Sequence, residues 1–337
     1  SYGQLYNLLA NTKLGFSERF AMQTELATGD AVAAANAQPT ASQGIASYSL
    51  KKTVGNGLVP FAIPLGCLLA NCTNYVPLGM MGGVRISITT DQLANFTILA
   101  ATPTTFQIES LELAFDMVDF GRGFDAVVGS MADSEGNINL KSSSWNVSAQ
   151  TLGTLTAGTT QENIYNVRLS SIKSLILQAG GIGDQVNKGK FDAMAIQGPA
   201  GSTQFVVASQ VYPQTPIAES NQALVMSELR QSLGEAHDLL GSKMSIPDGQ
   251  FNSNLTRQAP GGTSTILQPK CHFVGVNTEK VSSNQLMMSG ISSQLSPISV
   301  RLNYSAGVNA GVLLTLFVLY DAILSINLPT RQVQTRV

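Results

Sequence analysis

The sequence predicts an all-β protein in which two antiparallel β-sandwiches follow one another, with short helices inserted in loops and a helical arm at the N-terminus. Three observations predict it. Apolar residues recur at every second position in several separate stretches, as they do in strands with one wet face. One late segment is apolar on both faces, which suits a strand covered from both sides. The chain has 337 residues, about twice the ordinary domain length.

The elements follow in order. Residues 1 to 27 place Leu5, Leu8, Leu9, Phe16 and Phe20 at spacings of three, four or their sums, a helical stripe that Gly15 interrupts. Two readings of it stay open: an assembly or membrane-proximal arm, and a helix packed on its own sandwich. Residues 28–44 turn to Ala, Gln, Asn and Gly around Pro39, which reads as a linker. Then the period becomes two. Val84, Ile86 and Ile88 alternate with Arg85, Ser87 and Thr89, and Leu111, Leu113, Phe115 and Met117 alternate with Glu112, Ala114 and Asp116. A short helical piece follows over about 122–131, then a long apolar strand over 165–178. Phe205, Val207 and Val211 share one parity of a further strand. One longer helix takes Leu224 or Val225, Leu229, Leu233, Ala236 and Leu240, with Ser220 as N-cap and Gly241 as its left-handed C′ residue. Ile298, Val300, Leu302 and Tyr304 form another half-buried strand. The span 312–326 closes the chain with Leu314, Leu316 and Val318 on one face and Leu313, Phe317 and Leu319 on the other. The expected organisation is an arm and linker over 1–44, a first sandwich over 45–180 and a second over 181–337.

Composition excludes several classes. Charged residues are 12% and apolar residues 44%, with a net charge of −2. That is too apolar for disorder and too poor in cations for strong direct binding of nucleic acid. No apolar run is long enough for a membrane-spanning helix, since the best candidate carries Asp321, and the start has no secretory-signal pattern. A soluble chain assembled in a reducing compartment is the expectation. Three cysteines without a CxxC spacing suit free thiols better than a disulfide framework.

Catalytic motifs are thin. The two histidines are His237, inside the predicted helix, and His272, which shares parity with Val274 and Val276 and so reads as a structural core residue. Cys271–His272 lacks further metal ligands. Ser170-x-x-Lys173 and Ser49-x-x-Lys52 have the spacing of a Ser–Lys pair but sit in strand-like sequence without accompanying motifs. The stretch 183–190 departs from a phosphate loop in spacing and places Phe191 where Ser or Thr is needed. Glu112, Asp116 and Asp119 could pair for glycoside chemistry, yet Glu112 and Asp116 lie on the polar parity of one strand and read as a solvated face. Sequons at Asn71, Asn95, Asn146, Asn254 and Asn303 are what an Asn-, Ser- and Thr-rich chain contains by chance. The expectation is no enzyme, no cofactor and no metal site.

The runs Ile63-Pro64-Leu65-Gly66, Asn74-Tyr75-Val76-Pro77-Leu78-Gly79 and Gly82-Gly83-Val84-Arg85-Ile86-Ser87-Ile88 resemble the first barrel of viral double jelly-roll major capsid proteins. The likeness continues in Ile108-Glu109-Ser110-Leu111-Glu112-Leu113, in Tyr212-Pro213-Gln214-Thr215-Pro216-Ile217 leading into a helix, and in the closing Phe317-Val318-Leu319-Tyr320-Asp321-Ala322. It implies two eight-stranded jelly rolls side by side, and a pseudo-hexagonal homotrimer that tiles an icosahedral shell around a viral genome. The virion capsid, assembled in a host cell, is then the expected location. The implied partners are further copies of the chain, penton or vertex and minor capsid proteins, and an internal lipid membrane. A low-charge surface rich in Ser, Thr, Asn and Gln suits such burial, because interface cores are depleted of charge. The rival reading is a carbohydrate-binding or adhesin β-sandwich, or a glycan-active hydrolase. It requires a monomer with an aromatic-lined cleft, whereas Trp145 is the sole tryptophan.

Overall fold

Eight strands that keep switching between two facing sheets build the principal body of the protein. The computed structural model describes residues 5, 8, 9, 12 and 13; 62, 65, 68, 69, 71, 72 and 74–90; 107–119, 121 and 123–181; 193 and 195–234; 257, 258, 265 and 266; 272–280; 287–308; and 311–337. Its strands are β1 (Asn137–Leu152), β2 (Thr159–Tyr165), β3 (Ile172–Gly181), β4 (Ser202–Val207), β5 (Gln210–Ala218), β6 (Arg257–Gln258), β7 (Thr265–Ile266), β8 (Phe273–Asn277), β9 (Ile298–Tyr304), β10 (Val312–Asn327) and β11 (Gln332–Arg336). Two α-helices are α1 (Phe124–Ser130) and α2 (Gln222–Ser232), and the described positions of the N-terminal arm are helical as well.

One sheet has the order β1-β10-β3-β8, with β11 added to β10, and the other has the order β2-β9-β4-β5. All these pairings are antiparallel. With β6, β7 and β11 set aside, each connection crosses from one sheet to the other except the β4–β5 hairpin, and the first strand pairs with the last. The described body is a jelly roll.

The inner faces follow from the pleat. Ile298, Val300, Leu302 and Tyr304 of β9 are fully buried, and so are Phe205 and Val207 of β4, while Arg301 and Asn303 point to water. They join Leu314, Leu316 and Val318 of β10 and Leu175 and Leu177 of β3 in one apolar cluster. Each such side chain contributes about 1.5–3 kcal/mol of gross stabilisation. In β10 the other face is also covered, since Phe317 and Asp321 are fully buried. The two-faced strand read from the sequence is therefore present over the expected span.

The cover on that outer face is helical at one end. Helix α2 lies on β8 so closely that a Cβ on Gly275 would meet Ser232 Oγ at 2.4 Å and Leu229 Cδ1 at 3.1 Å. Asn221 caps it by accepting the Leu224 N–H at 3.1 Å. The helix ends at Gly234, whose φ of 77° supplies the left-handed C′ position. The sequence placed the cap at Ser220 and the end at Gly241. The nearer Asn and Gly took both roles, and His237, Leu240 and Gly241 lie outside the described residues.

Several expectations need correction. The boundary at 180/181 cuts through the jelly roll, because β1, β2 and β3 pair with β8, β9 and β10 from beyond it. The sandwich assigned to 181–337 thus begins at Asn137. The strand expected over 165–178 is two strands in different sheets, broken between Tyr165 and Ile172. The strand expected through Phe205 and Val211 turns back at Ala208 and Ser209, whose φ values of 51° and 68° make a two-residue hairpin turn. The alternating stretches at 84–88 and 111–117, expected as half-buried strands, are assigned to no strand and are exposed on both parities.

β1 and β10 pair along all 16 residues of each, a ribbon of roughly 50 Å at about 3.3 Å per residue. Its far end leaves the jelly-roll core and enters a second cluster, in which Ile138, Leu140, Leu324 and Ile326 meet Met81 and Val128, with Leu68, Leu69 and Phe124 packed against them. The entry to β1 is fixed by Asp133, whose Oδ1 accepts the N–H of Asn137 at 2.8 Å and of Glu135 at 3.0 Å. These bonds, led by that of Asn137, hold its carboxyl below its ordinary value of 3.8. A depressed carboxylate gives stability that is present above the unfolded value and lost as pH falls through the folded one. Asp133→Asn is therefore expected to flatten the fall in melting temperature as the pH drops below about 4. Thermal melts of both proteins across that range check it.

Candidate interaction surface

Two alternating segments before the jelly roll each carry a series of exposed apolar side chains. Val84, Ile86 and Ile88 are about half exposed, as are Leu113 and Phe115, and Leu111 and Met117 reach 68% and 78%. Their polar alternates, Arg85, Ser87, Glu112 and Asp116, are exposed as well. Apolar side chains left exposed in this way present surface that water disfavours by about 25 cal/mol per Å². Scattered apolar residues would need no account, but two strand-like stripes do.

The N-terminal stripe is placed differently. Leu8 is fully buried and Leu5 nearly so, both within the jelly-roll core cluster, and Leu9 packs against it. Thr12 Oγ1 donates to the Leu8 carbonyl at 2.7 Å, and Lys13 Nζ donates to the Leu233 carbonyl at the end of α2. These positions are helical, so this part of the arm is a packed element of its own sandwich. Phe16 and Phe20 lie outside the described residues.

The side chains weighed for chemistry are tied into the fold. His272 Nε2 lies 2.9 Å from Glu219 Oε2, both groups being buried, and its backbone N–H donates to the Ala193 carbonyl at 2.9 Å. The pair joins the end of β5 to the start of β8, a structural role. Lys173 of the Ser170-x-x-Lys173 spacing lies 3.2 Å from Glu279 Oε1 and 3.8 Å from Asp321 Oδ1. It faces carboxylates, and sequence gave no signal that Glu279 and Asp321 would meet it. Glu112, Asp116 and Asp119 are solvated. Of the sequons, the Asn71 amide donates to the Ser143 carbonyl at 3.1 Å, and Asn303 is exposed on β9. Among the described residues no three His, Cys, Asp or Glu side chains are grouped to hold a metal ion, and no helix is long and apolar enough to cross a membrane. The residues 49–52, 183–190, Cys67, Cys271, Asn95 and Asn254 lie outside the described set.

No family model matches the chain, and no curated protein matches it. Among solved structures it is similar to the PBCV-1 virus capsid, with 10% identity over 56% of this chain and 49% of that one at a TM-score of 0.29. It is similar to PBCV-1 VP54 fitted into a reconstruction of the virophage Sputnik, with 9% identity over 56% and 49% at 0.31. The mavirus major capsid protein matches with 8% identity over 62% and 43% at 0.32. The matched part spans less than half of each of those capsid chains. The strand order, not these alignments, carries the jelly-roll assignment.

Proposed function

We propose that the chain is a structural subunit of a viral capsid, a major capsid protein that works by self-association and carries no catalytic site. The observation that carries this reading is the pair of strand-like apolar stripes, 84–88 and 111–117, left uncovered beside a complete jelly roll on a chain with few charges. Copies of the chain are the occupant that such a surface suits, since obligate interfaces are apolar and poor in charge.

The finer features follow the same logic. Residues before Asn137 contribute a second sandwich seated around the Met81, Val128 and Leu324 cluster, so that the chain presents two bodies to its neighbours. Three chains with two bodies each close into a pseudo-hexagonal homotrimer, whose heterologous edges tile an icosahedral lattice around a genome. Vertex or penton proteins, minor capsid proteins and an internal lipid layer are the further partners of such a shell. The virion is its location.

The test introduces a charge on each stripe. Ile86→Asp with Leu113→Asp is expected to leave the jelly roll folded and to abolish oligomers, because a buried unpaired carboxylate costs several kcal/mol at an interface. Circular dichroism reports the fold and light scattering reports the mass. Oligomers of unchanged mass in the double variant would contradict the proposed surface.

A further inference from the structure

A buried cluster at the edge of the jelly roll has the parts of a self-made cross-link. Asp321 of β10 is fully buried, and its two oxygens are treated differently. Oδ2 accepts the Ser171 hydroxyl at 2.7 Å and the Ser289 backbone N–H at 2.7 Å, with Ser289 Oγ a further 3.1 Å away. Ser171 Oγ is itself oriented by the Gly290 N–H at 2.8 Å. Oδ1 has no hydrogen-bond partner and lies 3.8 Å from Lys173 Nζ. Glu279, which touches that same ammonium at 3.2 Å, receives the other interaction of Ser289 Oγ, at 2.6 Å. One hydroxyl proton serves Glu279 or Asp321, so the firm donors to Oδ2 are the Ser289 N–H and the Ser171 O–H.

A buried carboxylate with one oxygen held by donors and the other idle is a poor structural acid, because the idle oxygen loses its water without replacement. The same arrangement is well made for acyl transfer. Two donors await charge on one oxygen, an amine stands beside the other, and a carboxylate touches the amine.

We propose that Lys173 and Asp321 become joined by an intramolecular isopeptide bond, an amide between Nζ of Lys173 and Cγ of Asp321, with Glu279 as the proton carrier. Transfer of one proton from the ammonium to Oδ1 gives a neutral amine and a carboxylic acid. The Nζ lone pair attacks Cγ, and the carbonyl electrons move to Oδ2, where the Ser289 N–H and Ser171 O–H receive the charge. Glu279 takes a second proton from Nζ and passes it to Oδ1. The Cγ–Oδ1 bond then breaks, water leaves, and the Oδ2 carbonyl reforms. Amine plus acid gives amide plus water, and Glu279 ends as the carboxylate it began as. In the product Oδ2 keeps its donors, the idle oxygen is gone, and the remaining Nζ–H faces Glu279. The bond ties β3 to β10, adjacent strands of one sheet, and closes a covalent loop around most of the sandwich. It requires no oligomer, so its failure and that of the capsid reading are separate results.

The full chain, purified and acid-denatured, is weighed by electrospray mass spectrometry and then digested with trypsin. The expected mass is that of the sequence less one water. The expected digest resists cleavage after Lys173 and yields a branched peptide joining Lys173 to Asp321. Glu279→Gln and Lys173→Arg, checked for folding by circular dichroism, are expected to have the full sequence mass. Wild-type protein of full mass that is cleaved after Lys173 overturns the proposal. Water loss that persists in Lys173→Arg overturns it too, by placing the loss elsewhere. A branched peptide in Glu279→Gln overturns the role of Glu279.

Discussion

Replacing Gly290 with alanine is expected to destabilise the jelly roll by about 3 kcal/mol or more, at the upper end of overpacking effects. A Cβ there would stand 2.1 Å from the Ile172 carbonyl oxygen, 2.4 Å from its carbon and 2.7 Å from the Ile172 nitrogen. All three are backbone atoms of β3, so no side-chain rotation relieves the clash. Nor can the segments part cheaply, because Ile172 and Ile291 exchange two backbone hydrogen bonds of 2.7 and 3.0 Å beside the contact. Gly129 is the control, with nothing within 4 Å of its Cβ position and a helical setting in which alanine is favoured by up to about 1 kcal/mol. Urea denaturation of both variants measures the difference. A Gly290→Ala midpoint equal to wild type would show that the close approach is absent in solution.

Leu8→Ala is expected to lower the stability of the jelly roll by about 2–5 kcal/mol, the range for truncating a core leucine. Leu8 is fully buried with Leu5 beside it in the cluster that also contains Leu229 and Phe317. Removal of residues 1–27 takes the whole anchor away and is expected to act in the same direction, on the isolated subunit and before any assembly step. Thermal melts of subunits held below the assembling concentration separate the two readings of the arm. A variant that melts like wild type but no longer associates would assign the leucines to contacts between molecules instead.

What the sequence disclosed depended on where each strand sits. β9 and β10 were legible because an inner strand of a sandwich has a strict apolar face, and in β10 a covered outer face as well. β1 was not. Its run of Lys141, Ser142, Ser143 and Ser144 carries little apolar signal, although Lys141 and Ser142 are buried on pairing with β10. Missing β1 displaced the domain boundary, since a jelly roll pairs its first strand with its last and the two halves of the sequence are therefore not two bodies. The β4–β5 turn was hidden because Ala208 and Ser209 adopt positive φ without the Gly or Asn that announces it. Pro213 and Pro216 sit in β5 at a sheet edge, where a missing N–H does no harm. The alternation at 84–88 and 111–117 predicts half-buried strands, yet neither stretch is assigned to a strand and both are exposed, because a pattern names the side to be covered and not what covers it. For the interior cluster, the spacing of Lys173 said nothing of Glu279 or Asp321, which topology alone brings to it.

The central claim is that the chain buries its apolar stripes against copies of itself. Sedimentation or light scattering on the purified full chain, with electron microscopy of the same sample, tests it most directly. The account predicts three-chain particles of about 106 kDa, three times 35.5 kDa, and closed shells or lattices built from them. A stable 35.5 kDa monomer at every concentration would contradict it.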